Sequence, residues 1–185
     1  MKARSRLPLL LRLPVSARWP QVLLCLGLLA GLVGCGGKLE VTERQRKEAE
    51  HLIAEANFAL TLRDWARAEG LLAKAAGLVP DNGDVWTMLG STRVRLGQKS
   101  GARDAYQKGL KAYAAEAALP AMKQDPEPWL DQVYVLAALG RVSDARALVE
   151  KMGRQFPNHP RVRAFVGGKQ LDQLLADPKF KEAAL

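Results

Sequence analysis

From Thr42 onward the apolar residues recur every third or fourth position, and no stretch alternates in the manner of a half-buried strand. That pattern predicts an all-α chain. Thr42 and Gln45 have the spacing of a capping box, in which a hydroxyl and an amide satisfy each other's free backbone N–H groups at a helix start. A first helix is therefore expected over residues 43–62. Pro120, Pro126 and Pro128 mark a linker near 117–125, because proline lacks the N–H a helix needs. Beyond Pro160, helical pieces are expected at 161–166 and 170–176, broken at Gly167-Gly168. Asp177-Pro178 makes a good cap and first position for a last helix over 178–184.

The pattern also repeats. Leu52, Trp86 and Trp129 each precede an alanine (Ala68, Ala102, Ala145) by sixteen residues. The first two sets lie 34 residues apart, and the third follows 43 later, an insertion of nine. Pro80 and Pro157 each stand twelve residues after their alanine. Trp86-Thr87-Met88-Leu89-Gly90 with Gly97, Ala102 and Tyr106, and the matching Gly140, Ala145 and Pro157, resemble the tetratricopeptide repeat (TPR) motif. Leu52, Arg93 and Ala114 depart from it, standing where Trp, Tyr and Pro are usual, and Ala114 lets a helix run on over 101–118.

The resemblance implies a right-handed solenoid of about three helix pairs, at about 49–82, 83–116 and 126–159 within an array over 43–157. Residues 158–185 would then cap its open apolar end.

Ahead of the array lies a different composition. Residues 1–21 are basic, residues 22–33 form an unbroken apolar run of twelve, and Leu32-Val33-Gly34-Cys35 closes it. Twelve helical residues rise about 18 Å, short of a hydrocarbon core of about 30 Å, so a spanning helix is not expected. A basic region before a short apolar run fits a secretory signal over 1–34. The tetrapeptide resembles the bacterial lipobox, which makes Cys35 the acylated residue and 35–42 a short lipidated tether. More than one acyl chain anchors stably where a single chain does not. Gly36, in place of Asp, favours the outer membrane by resemblance to lipoprotein sorting. The alternative is a retained leader with an incidental cysteine.

This leader changes how the charge is read. The chain carries 28 basic and 19 acidic residues, a net charge of +9. Five of the basic residues and none of the acidic ones precede Cys35, so 23 against 19 leaves +4 for the rest. No aromatic interleaving suggests stacked bases, and nucleic acid is not an expected partner. Arg93, Arg95, Lys99, Arg103, Lys108 and Lys111, broken only by Asp104, form a local basic stretch. It could meet an acidic segment or lipid headgroups, or be a solvated outer face.

Chemistry is sparse. His51 and His159 are the only histidines, and neither belongs to a metal spacing. No nucleophile elbow or phosphate loop occurs, so no catalytic residue, metal or cofactor is expected.

The resemblance places partner recognition on a concave groove lined by the first helix of each pair. Its positions fall on Ile53, Asn57 and Leu60, then Thr87, Ser91 and Arg95, then Leu130 and Tyr134. Asn57 matches one member of the carboxylate clamp of some TPR domains, but Ile53 and Met88 stand where Lys and Asn are needed. The mixed lining suits an extended peptide or a helix. The expected function is a non-enzymatic, lipid-anchored scaffold for a protein partner in a bacterial envelope. A pilotin-like factor assisting secretin or type IV pilus assembly is the alternative.

Overall fold

The computed structural model describes residues 40–167 and 169–185; the expected signal and Cys35 lie outside them. The described chain is all-α, and residues 41–185 form one compact unit. Nine α-helices are found among the described residues: α1 Glu43–Thr61, α2 Trp65–Leu78, α3 Gly83–Arg95, α4 Lys99–Ala117, α5 Glu127–Ala138, α6 Val142–Gln155, α7 Pro160–Gly167, α8 Gln170–Ala176 and α9 Pro178–Lys181. A 3-10 turn, Pro120–Met122, sits in the linker between α4 and α5. Each helix packs on the next in chain order, so the unit is built from near-neighbour contacts. The expected capping box is formed, with the Gln45 N–H donating to Thr42 Oγ1 and the Thr42 N–H to Gln45 Oε1.

The recurrence seen in the sequence returns as backbone geometry. α1, α3 and α5 end on Leu62, Leu96 and Leu139, followed by Arg63, Gly97 and Gly140 at φ of 59°, 73° and 72°. The next N–H groups, of Asp64, Gln98 and Arg141, donate back to the carbonyls of Ala59, Arg93 and Leu136. This is the Schellman closure, which satisfies carbonyls that a helix end leaves free. The left-handed residue it requires favours glycine, and only Arg63 lacks that freedom.

A second signature recurs: Lys108 Nζ lies 4.8 Å from the Trp86 ring centroid, and Lys151 Nζ lies 4.8 Å from that of Trp129. We number α1–α2, α3–α4 and α5–α6 as first, second and third units; the turn occurs in all three and the Trp–Lys contact in the second and third. α7 begins where a further first helix would, since the His159 N–H bonds the Phe156 carbonyl as Asn82 bonds Val79. α4 runs on through Ala114 to Ala117, with no proline along it to end it sooner.

The α3–α4 contact shows why small residues fall where they do. Ala68, Ala102 and Ala145 are all fully buried. A Cβ at Gly90 would lie 2.7 Å from the Tyr106 ring, and one at Gly83 would lie 2.5 Å from the Tyr113 ring. Two tyrosines seven residues apart on α4 thus cover two glycines seven apart on α3. The pairing runs in opposite order along the two helices, which makes them antiparallel. Gly109 does the converse from α4, its missing side chain leaving room for Trp86 and Thr87.

The end of the chain departs from expectation. α9 stops at Lys181, three residues before the end of the expected helix. The residues after it turn back onto the middle of the unit, where the Leu185 N–H donates to the Ala138 carbonyl at 2.8 Å. A helix continued over 178–184 could not make that bond.

Candidate binding cavity

The first helices of the second and third units, α3 and α5, present side chains to a shared cavity of about 460 Å³. Asp84, Thr87, Met88 and Ser91 line it from α3, Asp131 and Tyr134 from α5, and Tyr113 from α4. Three residues expected from sequence, Thr87, Ser91 and Tyr134, are therefore brought together. Ile53, Asn57 and Leu60 of α1 do not reach this cavity. Asn57 is exposed, and Ile53 packs on the apolar cluster of the first two units.

Leu130 is a correction. It is 4 % exposed and belongs to the core of the last units, so it lines no groove. One residue along a helix turns a side chain by about 100°, and Asp131, the next residue, takes the place expected of Leu130. Asp84, Met88, Tyr113 and Asp131 were not anticipated. The available signal was Asp131, an acid within the mostly apolar α5.

Arg95 lies one turn beyond Ser91. Its guanidinium is 2.8 Å from the Glu182 carboxylate and sits 4.7 Å above the Trp65 ring. The basic stretch is partly neutralised in the same way. Arg93 donates to Glu69 at 2.9 Å and to the Gly101 carbonyl at 3.2 Å, tying α2, α3 and α4 together, and Lys108 pairs with Asp104. Among the described residues, Lys99, Arg103 and Lys111 remain exposed without an ion pair.

The cavity is electronegative. Tyr113 donates to Asp84 at 2.5 Å, and burial, ahead of that bond, pushes its phenol far above the usual range. Burial, reinforced by the charges of Asp84, Glu127 and Glu116, pushes Asp131 up to about 6. Glu116 is raised too, by burial and then by Asp84 and Asp125. Arg161 opposes the shift of Asp131 but is itself paired with Glu127. The Thr87 hydroxyl is buried without a hydrogen-bond partner, and Ser91 Oγ donates to the Met88 carbonyl within its own helix. A larger hollow of about 720 Å³ lies between α6 and α7. It is lined by Gly, Pro, Phe and aliphatic side chains with Arg163, and lacks convergent polar groups.

Clustered carboxylates lower stability when ionised. A folded-state pKa above the unfolded one means the folded chain keeps a proton that the unfolded chain releases. Stability therefore falls as pH rises from 3.8 to about 6. Asp131→Asn is expected to stabilise the chain by about 1 kcal/mol at about pH 7, a value discounted for the part of the carboxylate left in water. The gain should vanish at about pH 3.5, where both side chains are neutral. Urea unfolding at the two pH values checks it, and an equal gain at both would place the cause elsewhere.

Compared with protein-family models, curated proteins and solved structures, the chain matches none of them.

Proposed function

We propose that this chain is a non-enzymatic adaptor, a TPR-type solenoid of three helix pairs, anchored through acylated Cys35 to a bacterial envelope membrane and facing the periplasm from the outer membrane. It holds an extended protein segment across the α3–α5 cavity. The observation that carries the reading is this cavity, where α3 and α5 converge and where burial, with Asp84, Glu127 and Glu116 nearby, pushes the Asp131 carboxyl up to about 6. Such a lining suits a partner segment presenting a lysine or arginine, whose charge would relieve the repulsion. The residues around it favour binding over chemistry, since Ser91 is turned to a backbone carbonyl and no histidine lines the space.

The turns recurring at offsets of 34 and 43, and the Trp–Lys contact recurring at 43, support the repeat reading. No helix among the described residues is long and apolar enough to cross a membrane.

Two experiments test it. Cys35→Ser should leave an unprocessed precursor without palmitate label; a variant still cleaved and labelled removes the lipid anchor. In crosslinked membranes, Asp131→Lys should reduce capture of the partner about tenfold, the loss expected at an interface anchor, with helicity unchanged. Capture that instead drops for Arg103→Glu and is untouched by Asp131→Lys would move binding to the exposed basic face.

A further inference from the structure

The last six residues sit on the surface that would receive a partner. Phe180 meets Tyr134 edge-on, with ring centroids 5.3 Å apart and planes at 82°. Glu182 reaches Arg95, the Tyr106 hydroxyl donates to the Ala183 carbonyl at 2.5 Å, and the Leu185 N–H donates to the Ala138 carbonyl. Three helices from two units thus supply an aromatic platform, a cation, a side-chain hydroxyl donor and a main-chain carbonyl acceptor, the last two both bonded to the tail's main chain. An extended peptide is recognised with that combination, main-chain bonds giving adhesion and side-chain pockets giving selectivity.

Phe180 and Ala183 are buried, but the rest of the tail's hold is weaker. α9 has four residues, too few to persist without its neighbours. The ion pair to Arg95 is largely in water, with side chains 30 % and 61 % exposed, so it adds little stability. Tyr134 belongs both to this contact and to the cavity, so tail and partner meet on one side chain.

We propose that the surface made by Arg95, Tyr106 and Tyr134 is a peptide-binding subsite held closed by the chain's own C-terminal residues. A partner segment carrying an aromatic side chain two residues before a carboxylate displaces them. This deepens the adaptor reading and rests on it for the partner, while the tail contact itself can be measured alone.

The probe is a fluorescent peptide of residues 177–185, added to the full chain and to a full-length Phe180→Ala/Glu182→Ala variant. Anisotropy should show binding to the variant at least tenfold tighter than to the unaltered chain. The same peptide with Glu182→Ala should bind the variant more weakly. Equal binding to both chains, or binding to neither, overturns the proposal. So does loss of cooperative melting in the variant, because the rest of the unit would then not hold its fold with the tail released. Retention of the membrane partner under Asp131→Lys is the separate test of the adaptor reading, and it can fail while the peptide still binds its subsite.

Discussion

Tyr106→Ala is expected to lower stability by about 3–5 kcal/mol, the range for emptying a buried aromatic site. The ring is fully buried, the largest side chain among the described residues to be so, and lies in the cluster shared by α4 to α9. Its truncation would leave a void against Gly90, which has no side chain to move into it. It would also leave the Ala183 carbonyl without its donor. Domains are stable by about 5–15 kcal/mol in total, so this one change removes a large share. Tyr106→Phe keeps the ring and loses only the hydroxyl, with an expected loss of about 1 kcal/mol. Urea unfolding followed by helical circular dichroism separates the two. A loss below about 1 kcal/mol for the alanine variant would mean that the α3–α4 contact collapses around the gap, contrary to the packing described.

Most helix positions were legible because they depend on local rules. Periodicity and the Thr42 cap act within a few residues, and each appears close to its expected place. The offsets of 34 and 43 carried over from sequence into the left-handed turns, and that of 43 into the Trp–Lys contacts, because equivalent residues meet equivalent neighbours. The groove was less legible. Its residues depend on register, and an error of one position exchanged core Leu130 for Asp131. α9 and the tail were the least legible. Tyr106 meets Ala183 across 77 residues and Arg95 meets Glu182 across 87, and no periodic signal encodes a contact that distant. The tail reads as a cap in sequence because its helical pattern is genuine, while its destination is fixed only by the folded surface it lands on. Arg93 was legible as a departure but not as a cause, since Glu69 and the Gly101 carbonyl come beside it only through packing.

Gly90→Val is expected to destabilise the chain by about 2–3 kcal/mol, although glycine is a poor residue for the middle of a helix. At an exposed site, replacing it by alanine would gain about 1 kcal/mol through helix propensity. Here the sign reverses, because a Cβ would lie 2.7 Å from two carbons of the Tyr106 ring. That ring cannot withdraw easily, being fully buried and tied by its hydroxyl to the tail. Extra carbon in a filled core forces backbone or rotamer shifts of the expected size. The two substitutions should therefore be coupled. In a Tyr106→Ala background, Gly90→Val should cost less than half as much, since the new methyl groups enter the vacated space. A double-mutant cycle by urea unfolding should return a coupling of about 1–3 kcal/mol. Additive losses would show that the tyrosine ring is not what keeps a side chain off Gly90, and the reason for glycine there would have to lie elsewhere on α4.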